Sequence, residues 1–434
     1  MGSGHHHGQD TGEPAPRAVV RAVLAVLVPL AVATLAGLVW LWPSGEEPRG
    51  EEGVKVGRAT GTITSVTLKP CQEATPGSTP LDLGEPGVAP FETDPRRCGT
   101  ATVRLESGKE KGTTARVELP SGPGSQVFAE GDDVVLLEMP GGTLNGDRYH
   151  LSDHDRSEAL WLIAVAFVLA VIAFGRWRGL RALAGLGITF ALLVFFLLPA
   201  ILEGRPPLLV AVVCASAIML AVLYLTHGFT VTTSVAVLGT LASLVLAGAL
   251  ATAVLDLTHL SGITDDSSLY LDANYQINTR GLLLASILIG ALGVLDDVTV
   301  TQSATVRELA GANPRYGFRE LYRAGARVGR AHIASVINTI VLAYAGASLP
   351  LLLLFELGGQ GAGQVLTNPV IAQEIVRSVV GTLGLIAAVP LTTALAAFAA
   401  SRGTPAAPAE EPSGDTPRPK ASWEWEEDPE ERVF

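Results

Sequence analysis

Apolar residues in this chain gather into runs rather than spreading along it. About eight runs approach or exceed the ~20 residues a helix needs to cross a bilayer: 19–42, 159–175, 180–202, 208–226, 230–255, 281–301, 331–356 and 375–400. Between the first two, the period changes. Segments 57–68, 100–106, 113–119, 133–139 and 148–152 are short, rich in β-branched residues and separated by Gly, Pro, Asp and Asn clusters, the pattern of strands joined by turns. Five such strands predict a small barrel, OB-like in type. The expected fold is therefore an α-helical multi-pass membrane protein with about eight transmembrane helices, carrying a β domain between helices one and two.

The domain boundaries follow from the same pattern. Residues 1–18 read as a disordered leader, 19–42 as the first membrane helix, and 54–157 as the β domain. Residues 159–400 form a seven-helix membrane domain, and the Pro-, Glu- and Ala-rich tail 401–434 reads as disordered. Most connections are tight turns. Two are longer: 256–280 predicts a short helix capped at Thr264, and 303–330 is basic. In the latter Phe318, Leu321 and Tyr322 alternate with Arg319, Arg323 and Arg327, which predicts a surface helix resting on anionic headgroups.

Composition agrees with this class: 48% hydrophobic, only 17% charged, mean hydropathy +0.38. A formal charge of −12 argues against nucleic-acid binding, and the distribution of arginine is more informative than the total. Arg17 and Arg21, then Arg176, Arg178 and Arg181, then Arg307 through Arg330 crowd alternate gaps, whereas Arg205 and Arg280 stand alone in theirs. The positive-inside rule makes the Arg-rich side cytoplasmic. An even number of spans puts both termini there and the β domain outside. The first run ends in Trp40-Leu41-Trp42 rather than in small residues, so it reads as a retained helix and not as a cleaved signal.

Cys71 and Cys98 both fall in the outer segment. An oxidising exterior favours a disulfide between them, worth about 3–4 kcal/mol in the chain-entropy model. Cys214 lies in a membrane run and reads as a small buried apolar residue. The β domain has few aromatics, Phe91, Phe128 and Tyr149, and lacks the stacking platform that single-stranded nucleic acid requires. It is expected to act as a cap or to bind an envelope protein partner.

Candidate chemistry lies within the membrane runs. Asp296 and Asp297 stand near the end of the sixth, roughly 6–8 Å from its exit, and a carboxylate in hydrocarbon usually faces a partner or a cavity. Helix rise puts Thr232, Thr233, Asn338, Thr339, Thr392 and Thr393, with Thr189 in the third run, at about the same depth. Gly290, Gly293, Asp297 and Thr301 recur at three- and four-residue steps, so they share one face. Glycine there lets a neighbouring helix approach, which nominates Asp297 as the inward acid and Asp296 as secondary. Pro199, Pro350 and Pro390 each free a backbone carbonyl, and broken helices around polar groups are a usual way to build a solute site. The expectation is an ion or solute site that takes a proton or cation at Asp296 and Asp297. A purely structural polar cluster is the alternative. No catalytic residue or metal ligand set is assigned.

Residues 290–309 (GALGVLDDVTVTQSATVREL) and 328–355 (VGRAHIASVINTIVLAYAGASLPLLLLF) resemble the YibE/F-like family of bacterial membrane proteins. Residues 227–241 (HGFTVTTSVAVLGTL) and 389–394 (VPLTTA) are similar to its pattern too. The resemblance covers about residues 54–400 and implies a multi-pass plasma-membrane protein of the kind labelled permease. It implies no substrate. Three functions compete: a permease or exporter using the Asp pair, a scaffold that recruits partners through the outer domain, and a Mg²⁺-dependent enzyme on lipid-linked phosphates. The last needs further acidic ligands, and 303–330 contains no Asp.

Overall fold

The computed structural model describes residues 17–45, 57–69, 98–120, 125–139, 148–264, 266–359 and 361–402. Helix α1 (Arg17–Leu41) packs along α4 (Pro207–His227), with Gly37 against Val213. Just beyond α1, the backbone N–H groups of Ser44 and Gly45 donate to the Glu203 carboxylate at 3.0 and 2.9 Å. Led by the Ser44 bond, they hold that carboxyl below its ordinary range.

Five antiparallel strands follow: β1 (Gly57–Leu68), β2 (Gly99–Leu105), β3 (Thr114–Glu118), β4 (Asp133–Glu138) and β5 (Tyr149–His154), in the order β3-β2-β1-β4-β5. The long β1 serves two partners, β4 along Gly57–Thr62 and β2 from Gly61 to Leu68, with a bulge between Ile63 and Ser65. A bulge bends and twists its strand, and the edge strands β3 and β5 approach each other to give a half-barrel. Alternate residues fill it: Ala59, Ile63, Ala101, Val103, Leu105, Val134 and Leu136 are buried together. Phe128 closes one side, its ring stacked 4.4 Å from His154. Arg148 ties the β2–β3 turn to β4, at 2.9 Å from Glu110 and 3.0 Å from Glu138. Cys71 and Phe91, and with Cys71 the expected Cys71–Cys98 bridge, lie outside the described residues.

Among the described residues seven helices are long and apolar enough to cross a membrane. One of them, Ser157–Leu202, has 46 residues and contains both the second and third expected runs. It consists of α2 (Ser157–Leu192), a π turn (Leu193–Leu197) and α3 (Leu198–Leu202). It is broken at Arg176, where φ is 49° and ψ −129°. Beyond the break, a Cβ on Gly179 would press on the Val171 carbonyl. Residues eight apart on a straight helix are separated by ~12 Å, so the chain folds back here. The π turn directly precedes Pro199, whose missing N–H releases a carbonyl of the preceding turn.

The centre is a trio of mutually packed helices: α5 (Val231–Thr258), α7 (Thr279–Ala312) and α11 (Pro369–Ser401). Helix α4 covers α7 on one side, and α8 (Phe318–Ala347) covers α11 on the other. The 256–280 connection holds the expected short helix, α6 (Asp266–Tyr275), and its ends are tied by the Asp256–Arg280 ion pair.

Two expectations fail here. The sixth helix does not end near Thr301 but continues to Ala312, because Leu288, Leu292, Leu295, Thr299, Gln302 and Val306 keep one face buried at three- and four-residue steps. The basic stretch 303–330 is thus no separate surface helix; it is the end of α7 and the start of α8. The seventh run is interrupted as well. Helix α8 stops at Ala347, and Pro350 lies in the first turn of α9 (Leu349–Leu357), ahead of the short α10 (Ala362–Thr367). Pro390, by contrast, stays inside a continuous α11.

Candidate functional site

The antiparallel packing of α5 against α7 and α11 sets the level of each polar group. A Cβ on Gly239 would overlap the Thr392 hydroxyl, and Gly384 meets Ala247. Glycine at 239 is therefore what lets α11 seat its threonine against α5. One residue further on, the Thr240 and Thr299 hydroxyls lie 2.6 Å apart, joining α5 to α7. Thr240 also reaches the Ala236 carbonyl at 3.1 Å, and Ser243 donates to Gly239 at 2.7 Å. Hydroxyls returned to the preceding turn satisfy themselves locally, so these helices can carry them in an apolar interior.

Toward the Thr230 end the seam continues through Gln302. Its amide donates to the Gly325 carbonyl at 2.9 Å and to the Thr393 hydroxyl at 2.7 Å, and Thr393 donates to Val389. One side chain on α7 thus clasps α8 and α11. Helix α8 fits this close because Gly325 and Gly329 face it: side chains there would meet Val306, Val389 and Gln302. Ser303 donates to the Thr232 carbonyl at 2.9 Å. Between this clasp and the Thr240–Thr299 bond lies an interior of wholly buried threonines.

Asp296 borders that interior. It is half-buried, one turn before Thr299, and its Oδ1 is fully enclosed without a hydrogen-bond partner. The Thr392 hydroxyl is enclosed and unpartnered too. An unsatisfied buried acceptor costs about 1–3 kcal/mol, more when charged. Counting from Thr240, Asp296 stands about 15 Å from the start of α5. That is roughly twice the depth the run length suggested, because α7 continues beyond the pair.

The structure reverses the expected order of the two acids. Asp297 is exposed, as are Gly290, Gly293 and Thr301, so that stripe faces away from the packed trio. Gly293 meets nothing within 4 Å, and Gly290 only the Tyr344 hydroxyl. A glycine stripe marks close packing only when a helix fills it, and on α7 the buried face lies opposite. Asn338 and Thr339 are exposed on α8, the latter bonded to Ser335 at 3.1 Å. Thr233 pairs with the Thr230 cap at 2.8 Å, seven residues from Thr240. Thr189 bonds within its own helix. Asp296, Thr392 and Thr393 all line the packed trio, Asp296 beside Thr240 and Thr299, Thr392 against Gly239 and Thr393 on Gln302. Asp297, Thr301, Asn338 and Thr339 are exposed, and Thr232 and Thr233 lie nearer the start of α5. Pro199 and Pro350 sit at helix breaks remote from the seam.

The residues that build the seam beside them, Thr240, Thr299, Gln302 and Gly239, were not singled out from the sequence. The signal is present: Thr299 and Gln302 extend the apolar face of α7 by a four- and then a three-residue step from Leu295. Ending that helix at Thr301 leaves out Gln302, the second of these steps. Among the described residues no group of three or more His, Cys, Asp or Glu is placed to hold a metal ion. The donors near Asp296 are one carboxylate and neutral hydroxyls.

A bundle of long apolar helices with a half-buried carboxylate beside buried threonines is the pattern of a membrane protein with a polar interior. The chain belongs to the YibE/F-like protein family, which matches residues 163–402, more than half of its length. The match includes the whole polar seam, while α1 and the half-barrel fall before it. No curated protein and no solved structure matches the chain.

Proposed function

We propose that this chain is a secondary permease or exporter of a small solute or ion in the bacterial plasma membrane. Asp296 is the carboxylate that takes up the coupling proton or cation. One observation carries this reading: the Asp296 Oδ1 is enclosed in the bundle with no partner. An intramembrane acid with one oxygen left unmet is costly, and such groups serve relays and ion paths. The hydroxyls of Thr240 and Thr299 supply neutral oxygens beside it. Arginine crowding at the α7–α8 connection orients that end of the bundle to the cytoplasm, with both termini there and the half-barrel outside. The strand order of that half-barrel supports an OB-like reading, and the oxidising exterior supports the Cys71–Cys98 bridge.

A Mg²⁺ enzyme is less well supported. Neighbouring helical residues diverge by about 100°, and only Asp296 turns inward, so the two acids do not converge on one ion. The test is flux. Full-length protein in sealed liposomes, loaded with a pH-sensitive dye and given a pH or sodium gradient, should carry protein-dependent ion flux. Asp296→Asn should reduce it at least tenfold, and Asp297→Asn much less. Wild-type flux through Asp296→Asn sinks the reading.

A further inference from the structure

A second polar cluster stands at the opposite end of the bundle, and the seam around Asp296 does not use it. Two turns into α11, Arg377 Nη1 lies 3.3 Å from Glu374 Oε1. Their neighbours Val376 and Val380 are buried among Ala251, Leu255, Leu283, Leu284 and Ile287 of α5 and α7. The pair therefore belongs to the packed bundle, about 20 Å along it from Asp296. Tyr344 of α8 completes the cluster. Its hydroxyl lies over Gly290, and both Arg377 and Glu374 are close enough to act on it electrostatically.

The cluster is incomplete as a hydrogen-bonded unit. Arg377 Nε and Gln373 Oε1 are buried with no partner. The Arg377 and Glu374 side chains nevertheless keep 24% and 26% of their surface open, so something can reach them. Glu374 takes only the Nη1 end of the guanidinium. The Nε edge of that planar fork is left without an acceptor, and its donor geometry matches a carboxylate or phosphate. An arginine held inside an apolar helix with a donor unmet is costly unless a ligand meets it.

We propose that Arg377 is the recognition point for an oxyanion, a carboxylate or phosphate carried by a solute or by a lipid headgroup. Glu374 is the resident counter-charge that the oxyanion displaces, and the Tyr344 hydroxyl is a second donor to it. This assignment is independent of ion uptake at Asp296. It gives the bundle an anion-reading mouth at the end opposite the arginine-rich connection.

The experiment is binding, without flux. Full-length protein in lipid-free detergent is titrated with inorganic phosphate, acetate and succinate by calorimetry. In parallel, phosphatidylglycerol is titrated in mixed micelles. At least one probe should bind the wild type. Arg377→Gln should weaken it by about tenfold or more, with Arg377→Lys intermediate, since a lysine keeps the charge and loses the fork. Glu374→Gln should tighten it, because the competing carboxylate is gone. That sign keeps the test decisive even if Arg377→Gln fails to fold. Binding of a soluble anion assigns the site to a solute; binding of the lipid alone assigns it to a headgroup. If no probe binds the wild type or Glu374→Gln, or if neither substitution changes the binding that is seen, the proposal is overturned. Asp297→Asn, on the exposed face, should bind every probe as the wild type does, and because binding is measured without a gradient, a failure of flux and a failure of anion recognition are read separately.

Discussion

The hydroxyl oxygens of Thr240 and Thr299 lie 2.6 Å apart across the α5–α7 contact, both wholly buried. Only one of the two protons can lie between them. The other is free for the Ala236 carbonyl, 3.1 Å from the Thr240 hydroxyl, or the Asp296 carbonyl, 3.2 Å from that of Thr299. The bond thus fixes α5 against α7 and orders the turn that carries Asp296.

Removing either hydroxyl while keeping its shape tests this. Thr240→Val and Thr299→Val should each destabilise the folded protein, and the double variant should lose less than their sum. The coupling should be about 0.6–1.7 kcal/mol, the range of interhelical polar contacts in membranes. Reversible unfolding in mixed micelles measures it, and strict additivity would mean the hydroxyls do not interact.

Asp296 should be a stability liability. Its enclosed Oδ1 has no partner, so Asp296→Asn, which removes the charge and keeps the size, should stabilise the protein by about 1 kcal/mol or more. Asp297→Asn, on the exposed face, should shift the unfolding midpoint less. A fall in midpoint for Asp296→Asn would show that the contact of its carboxylate with Thr240 outweighs the unmet oxygen.

The α8 contact should tolerate no side chain at Gly329. A Cβ there would run into Val389 and lie 2.7 Å from Gln302 Oε1. Gly329→Ala should destabilise by about 1–3 kcal/mol through overpacking, while Gly311→Ala, where nothing lies within 4 Å, should stabilise slightly through helix propensity. Unfolding of the two variants side by side checks it.

The half-barrel should weaken in acid. The Arg156 guanidinium, 2.7 Å away, then Gln126, hold the Asp153 carboxyl well below the usual carboxylate range. A depressed folded-state value contributes stability above the unfolded value of about 3.9. That contribution is lost as pH falls through the folded value. Asp153→Asn should therefore flatten the decline of strand signal in circular dichroism below about pH 4. An unchanged decline would place the acid sensitivity elsewhere.

The architecture was largely legible in the sequence, because each apolar run and each β-branched run reports a local period. All five strands fall within a residue or two of their expected places. What the sequence concealed was relative rotation. Asp296 and Asp297 are neighbours in the chain, and the glycine stripe pointed to the exposed one, since glycine faces either a tight contact or open space. Thr240 and Gln302 escaped notice because each reads as an ordinary interruption of an apolar run until its partner on another helix is known.

The Gln302 clasp has one further consequence. On α8 it ends on a backbone carbonyl, that of Gly325, and the residues that make room for it are glycines. A main-chain acceptor is unchanged by substitution, and a glycine has no side chain with which to compensate a change at 302. At this bond no pair of side chains can mutate in step, so a search for correlated substitutions would find the apolar α7–α8 contacts and pass over the hydrogen bond itself.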